Sequence, residues 1–394
     1  MSPTAAPDVS GAPADAGGPA GGLVAEVRGG PGALARCGGF EGLAERLGLP
    51  LTARLDYLGL FASTYPEWQP WVVGVSGVDG AWQAGALLAR RRRHGMTYVT
   101  GLGQPVCDHG RLPAANDAAA AALAEAIAVG LAALPGPWVL RLEQLPVDDP
   151  VLALLAGLLR RAEIRPGVGL PRIDLSAGRS PRTYLSKKYR SQIVAARRRF
   201  VAAGVEPRLS VLRTRDEIEP LLPGLLAIRR RRDRAAHYRP ELADRRRAAW
   251  WQAALLRFAE RGQLELVVLD VGAGPPAAYS AGVLDGGSYR CWDGRINPSW
   301  HQQWPGQLLF GELLPRVIAD PRWSEVDYLR GETPFKMRTA TDVVPTSQLL
   351  AWSSGPARLA AEAPGIMHGR LHEWKSKHPA ADRIWHAART RMGA

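Results

Sequence analysis

Two runs of alternating strand- and helix-patterned segments, one after the other in much the same order, constrain this 394-residue chain more than any single motif. In the first run, apolar residues recur at helical spacing over 40–64 through Leu43, Leu47, Leu55, Leu58 and Phe61. Residues 71–75 and 82–88 read as paired strands about the turn Gly77-Val78-Asp79-Gly80, and 97–100 as a third. An alanine-rich helix over 118–134, a strand over 138–142 and a helix over 151–162 follow, and 171–175 is expected to close that sheet. The second run begins with a basic helix over 186–203, then a strand at 206–212 and helices over 216–234 and 242–261. Strands at 264–270, 277–284 and 288–294 come next, the last two joined by a Gly286-Gly287 hairpin turn. A helix from about 306, a strand over 325–329 and a strand over 346–352 complete it. Interleaved strands and helices of this kind predict a mixed α/β fold. The doubling rests on element order, since the two halves share no detectable sequence repeat.

Residues 1–25, mostly Ala, Gly, Pro, Ser and Asp, are expected to be a disordered tail, and 356–394 a basic helical tail. Between them the pattern predicts an N-terminal domain over 26–178 and a C-terminal domain over 179–355. The N-terminal residues have neither a basic start nor an apolar segment, which argues against a secretory signal. No run approaches the roughly 18 apolar residues that a membrane span needs. Three widely spaced cysteines (Cys37, Cys107, Cys291) suggest neither a disulfide framework nor a metal site, and a cytoplasmic location is expected.

The formal net charge is +13, and it is local: residues 179–250 carry 20 Lys+Arg against 7 Asp+Glu, an excess equal to that of the whole chain. Charge concentrated in this way points to a polyanionic partner. Lys187, Lys188, Arg190, Arg197, Arg198 and Arg199 lie on the basic helix, with Tyr184 and Tyr189 interleaved, and Arg229 and Arg230 open a second cluster. Such a surface suits a nucleic-acid backbone with some base stacking. A solvated basic face explains the same residues without any partner.

The segment Asp327-Tyr-Leu-Arg-Gly-Glu-Thr-Pro-Phe-Lys-Met-Arg338, after a Pro305-Gly306 helix start and an apolar run from Leu308 to Ile318, resembles the GNAT acyltransferase superfamily. The resemblance is to its CelD/BcsL-type branch and the related Fem-type peptidyltransferases, and it covers roughly 180–350 well. It implies tandem GNAT-like domains and transfer of an activated acyl group to an amine, with no tightly bound cofactor. The donor is then acyl-CoA or aminoacyl-tRNA, and the partners are tRNA and an amine-bearing small molecule or peptide.

In GNAT folds the first N–H groups of a helix bind the pyrophosphate of the donor, through the partial positive charge of the helix start. Here Gln303-Trp304-Pro305-Gly306-Gln307-Leu308 stands at that place. Gln303, Gly306, Gln307 and Arg330 are therefore the expected donor-binding residues. Leu308 replaces a small residue and Pro305 lacks an N–H, which weakens an ordinary acetyl-CoA site. The resemblance gives Lys336 the role of stabilising a phosphate or an oxyanion, with Phe335 ordering it or stacking on a base. Asp327 and Glu332 are candidate bases, although Asp327 could equally pair with Arg330. Asp293, Tyr289 and His301 are weaker candidates. No Cys/His metal spacing and no Gly-x-Ser-x-Gly elbow occurs. Aminoacyl transfer from charged tRNA to an amine is the leading expectation. Acyl-CoA-dependent N-acylation is the alternative, and a non-catalytic RNA-binding relative the third.

Overall fold

The computed structural model describes residues 22–30, 32–104, 106–235, 241–272, 274–359 and 362. The expected N-terminal tail up to residue 21, and nearly all of the expected helical C-terminal tail, lie outside them.

The chain opens on strand β1 (Val24–Gly29), helices α1 (Gly38–Arg46) and α2 (Leu55–Thr64), and strands β2 (Gln69–Ser76), β3 (Trp82–Arg93) and β4 (Met96–Gly101). Helix α3 (Asp117–Ala132) leads to β5 (Trp138–Pro146), helix α4 (Pro150–Leu158), β6 (Ala162–Pro166) and β7 (Leu170–Asp174). The short α5 (Pro181–Tyr184) and the basic α6 (Lys187–Ala202) precede β8 (Arg208–Leu212). Helices α7 (Arg215–Ile218), α8 (Leu222–Ala235) and α9 (Arg245–Glu260) follow, then β9 (Leu264–Asp270), β10 (Ala278–Asp285) and β11 (Ser288–Ile296). Helix α10 (Pro305–Ala319), β12 (Glu325–Asp327), α11 (Pro334–Met337), β13 (Asp342–Val344) and β14 (Thr346–Trp352) end the described elements.

The strands form two seven-stranded sheets, ordered β1-β2-β3-β4-β5-β14-β6 and β8-β9-β10-β11-β12-β7-β13. Written this way the sheets match position for position. Each contains one parallel pair, β4 with β5 and β11 with β12, and every other pairing is antiparallel. In each sheet a helix, α3 or α10, connects the parallel strands, as parallel pairing demands. The fold is thus mixed α/β, with one strand order built twice.

Two sheet assignments differ from the sequence reading. Strand β7 does not close the first sheet but pairs with β12 and β13 in the second. Strand β14 inserts between β5 and β6 in the first sheet. Each half therefore donates its last strand to the other. Alternating apolar residues dictate that such segments are strands but not which sheet edge they join. The helix expected over 151–162 also stops at Leu158, and β6 begins at Ala162. The Gly286-Gly287 turn is as expected: both residues have positive φ (52° and 97°), which the tight hairpin between β10 and β11 requires.

Burial follows the layers. Helices α3 and α4 cover one face of the first sheet through Leu123, Ile127, Val151 and Leu155. Helices α6 and α10 cover the outer face of the second through Phe200, Leu309, Leu313 and Val317. Between the sheets lies a shared core. Phe40, Tyr57, Leu58 and Phe61 from the first half pack with Ile228, Trp250, Trp251 and Phe258 from the second. Tyr57 stacks on Phe258 with ring centroids 5.6 Å apart.

Candidate active site

The parallel strands β11 and β12 pair only at Ser288–Arg290 and Glu325–Asp327, then separate. Just past the last pair, β11 carries a bulge: Cys291 faces Gly282 and Asp293 faces Ala281, so Trp292 is the extra residue. The opposite wall of the split is the turn that follows Asp327. Its backbone is strained at Leu329, a non-glycine residue at φ 58°.

Lys336 holds that turn. Thr333 caps α11, and its hydroxyl accepts the Lys336 N–H at 3.4 Å. The ammonium donates to the carbonyls of Leu329 (3.2 Å) and Arg330 (2.6 Å). A lysine has three donors, so one is left over. Burial pulls the Lys336 pKa below its ordinary value, against the opposing charge of Asp108. Phe335 packs edge-on against Phe310 of α10 (centroids 4.8 Å, 72°), which fixes α11 to that helix. Glu332 is exposed on the same turn.

Asp327 is buried and heavily engaged. Its Oδ2 accepts from His109 Nε2 at 3.1 Å and from Arg290, and its Oδ1 accepts the Leu329 N–H at 2.7 Å. Burial alone acts to raise its pKa, but His109, Arg290 and the Leu329 amide override that and hold the carboxyl at about 2. A carboxylate with that pKa is a poor proton acceptor near neutrality. Arg290 in turn donates to Asp285 at 2.8 Å, and Asp285 also accepts the Leu51 amide at 3.0 Å. Asp108 pairs with Arg330 Nε at 3.0 Å, and burial pushes its carboxyl upward. The pairing of Asp327 with Arg330 that the sequence allowed is replaced by these two bridges.

The site is therefore a polar seam between the halves. Leu51, Asp108 and His109 come from the first half, and Asp285, Arg290, Asp327, Arg330 and Lys336 from the second. Sequence reasoning missed Asp108, His109, Asp285 and Arg290. Asp108 and His109 lie in an irregular loop without a motif, and only their ion-pair partners reveal them. Of the weaker candidates, Asp293 sits elsewhere, bonded to Arg229, Trp251 Nε1 (3.0 Å) and Tyr279 OH (2.9 Å). Tyr289 is fully buried, and His301 is exposed.

The start of α10 is poorly supplied with donors. Trp304 caps it in the left-handed conformation (φ 58°), and Pro305 has no N–H. The amides of Gln307 and Leu308 both bond to the Trp304 carbonyl, at 3.0 and 3.3 Å. Gly306 is left as the one N–H of this first turn without such a bond, and Gln303 ends the preceding 3-10 turn. Arg199 lies over the Trp304 ring at 3.6 Å and donates to the Gln302 carbonyl at 2.8 Å.

Helix α6 turns Tyr189, Ala196 and Phe200 inward, and Tyr184 of α5 is also buried. Lys187, Lys188, Arg197 and Arg198 are exposed, together with Val194 and Val201. Arg197 pairs with Glu312 of α10, and Arg190 bonds back to the Leu185 carbonyl. Arg229 is a correction to the expected basic surface. It is buried and ion-paired with Asp293, because it points from α8 into the core beneath β11. Arg230 donates to the Leu242 carbonyl at 2.8 Å.

Residues 187–337 match the family profile of the acetyltransferase (GNAT) domain. No curated protein sequence matches the chain. Among solved structures, the crystal structure of FemX is similar at 9% identity, covering 76% of this chain and 92% of that one, with a TM-score of 0.55. The C-terminal domain (DUF2156) of a protein assigned as a lysylphosphatidylglycerol synthetase from Agrobacterium fabrum is similar at 9% identity. It covers 84% of this chain and 97% of that one, with a TM-score of 0.52. At these identities the likeness is one of fold. The chain thus carries a GNAT-type acyltransferase domain, and the β11–β12 split lies within the matched segment. Among the described residues no helix is long and apolar enough to cross a membrane.

Proposed function

We propose that this GNAT-type N-acyltransferase moves an aminoacyl group from charged tRNA to the amine of a small molecule or peptide. The observation that carries the reading is the start of α10. A pyrophosphate cradle needs several convergent backbone N–H groups, and this helix start leaves one, at Gly306. The exposed cations of α6 beside it suit a longer polyanion. The resemblance of the 303–308 and 327–338 segments to the CelD/BcsL-type and Fem-type proteins supports the same view. The division into domains at about residue 178 is retained as a proposal about sequence halves, each half lending one strand to the other's sheet.

In this reading the amine nitrogen attacks the ester carbonyl carbon in the β11–β12 split. The carbonyl oxygen becomes an oxyanion, and Lys336 stabilises it with its remaining N–H. The ester C–O bond then breaks, the ribose oxygen leaves and takes a proton, and the nitrogen gives one up. Asp327 acts as an anchor that holds the Leu329–Arg330 turn, rather than as the base. Asp108, whose carboxyl is pushed upward, is better suited to receive a proton. Acyl-CoA-dependent transfer is the second reading, favoured by the β-bulge and the split, which suit an extended thioester arm.

The test supplies a panel of amines with acetyl-CoA or with a charged tRNA pool, with and without ribonuclease. Ribonuclease-sensitive product from charged tRNA is expected. Product that needs CoA and survives ribonuclease would exclude the tRNA donor. Lys336→Ala should lower kcat by about 10²–10³-fold, the usual effect of losing one oxyanion donor, with an unchanged far-UV circular dichroism spectrum. Near-normal turnover would remove Lys336 from the reaction.

A further inference from the structure

His109 has two ring nitrogens, and the seam uses only one. Nε2 lies 3.1 Å from the ionised Asp327 and 3.3 Å from Arg290 Nη1, and the carboxylate, the nearer of the two and an acceptor, takes the Nε2–H. Nδ1 is buried and has no hydrogen-bond partner, in a residue only 3% exposed. His109 lines a cavity of about 40 Å³ in the first half, together with Gln104, Arg111, Leu142, Glu143 and Leu145. At roughly 10–15 Å³ for each water-sized group, this admits about three, enough for a carboxylate.

Arg111 is the second observation. Its guanidinium has one described hydrogen bond, to the Gly110 carbonyl at 3.3 Å, and no carboxylate of the described residues within ion-pair reach. Burial, and then the charge of Arg290, press its pKa below the ordinary value, with Asp148 and Asp149 offsetting this from a distance. The neighbouring charges are otherwise matched: Arg290 with Asp285 and Asp327, and Arg330 with Asp108. Glu143, also on the cavity wall, pairs with Arg141 at 3.8 Å. A partly buried cation without a counter-charge is costly, and an anion in the cavity would compensate it.

The cavity is also the first sheet's counterpart of the β11–β12 split. There β4 and β5 part after Thr100 and Arg141, and the gap is filled from within. Gln104 Oε1 accepts the amides of Gly101 (3.3 Å) and Glu143 (3.2 Å), bridging the two strands. A donor arm is thereby kept out, and only a small pocket remains.

We propose that this cavity is a carboxylate subsite, in which Arg111 pairs with a small organic acid and the buried Nδ1 of His109 shares a hydrogen bond with it. It adjoins the catalytic seam through His109. On the reading above, and for the ligand's identity only, the carboxylate is that of the acceptor, which makes amino acids or peptides the acceptor class.

N-acetylglycine and N-acetylglycinamide serve as probes, because neither has a reactive amine and binding is read apart from transfer. Binding to the full chain is followed through the His109 ring signals by NMR. The acid should bind about tenfold more tightly than the amide, the margin of a charge-assisted contact. Arg111→Gln should abolish that preference while keeping or raising the melting temperature of the ligand-free protein, and Arg111→Lys should retain part of it. Equal binding of acid and amide, no binding of either, or an undiminished preference in Arg111→Gln overturns the subsite. Transfer without any preference for carboxylate-bearing acceptors leaves the acyltransferase reading standing and removes the subsite's link to it. Acid binding without transfer does the reverse.

Discussion

At the scale of single residues, the seam separates groups that work by holding their charge from groups able to exchange a proton. Asp327 belongs to the first kind. Its carboxyl sits at about 2 in the fold, against 3.8 for an ordinary aspartate. A depressed folded-state pKa means that the stabilisation is complete above pH 4 and is lost as pH falls towards 2. The protonation-linked part is about 2 kcal/mol. Asp327→Asn should therefore be less stable than the native protein by roughly that amount at pH 6, and somewhat more for the partly uncompensated Arg290. Urea unfolding at pH 6, 4 and 3 should show the gap narrowing below pH 4. A gap that stays constant across that range would mean that the ionised carboxylate is not the anchor. The sequence marked Asp327 and Lys336 because they stand in a turn of recognisable pattern. Asp108 and His109 carry no pattern, since a hydrogen bond across 218 residues leaves no trace in local spacing.

At the scale of elements, helices and strands were legible because apolar periodicity is imposed by the face each element buries. Helix α6 buries Tyr189, Ala196 and Phe200 at spacings of seven and four, and its charged side was visible in advance. Its contact with α10 was not. A Cβ added at Gly311 of α10 would lie 2.3 Å from Ile193 Cγ1 of α6, so the two helices approach through the missing side chain. Gly311→Ala should force them apart at a cost of about 1–3 kcal/mol, the usual penalty of overpacking. That exceeds the gain of up to about 1 kcal/mol that alanine brings to a helix interior. Ile193→Ala alone should also destabilise, by leaving a void. Combining the two should recover part of the loss, since alanine would fill the space that isoleucine leaves. Additive melting-temperature losses in the double variant would show that the two side chains do not meet. The same contact bears on the candidate site, since α10 carries both the 304–308 helix start and the Phe310 that packs on Phe335, next to Lys336.

At the scale of the whole molecule, the exchange of β7 and β14 decides how the chain folds. Element order revealed two similar halves, but sheet membership depends on contacts between segments far apart in sequence. β14 pairs with β5 across some 200 residues, and nothing in its own alternation names that partner. The consequence is cooperativity. Neither half completes its sheet alone, and both contribute to the core between the sheets, where Tyr57 meets Phe258 and Trp250. The chain should unfold in urea as one transition, with tryptophan fluorescence and far-UV circular dichroism coinciding. Deleting everything from residue 346 onward removes β14, with its buried Leu349 and Ala351, from between β5 and β6 and opens the first sheet's interior. That truncation should leave no cooperative transition in the first half. It should also abolish transfer, because Asp108 and His109 would lose the scaffold that presses them against Arg330 and Asp327. Two separated transitions in the intact protein would mean that each half is stable without its borrowed strand. In that case the seam would be a docking contact between independent domains, and acyl transfer would depend on their association rather than on a single fold.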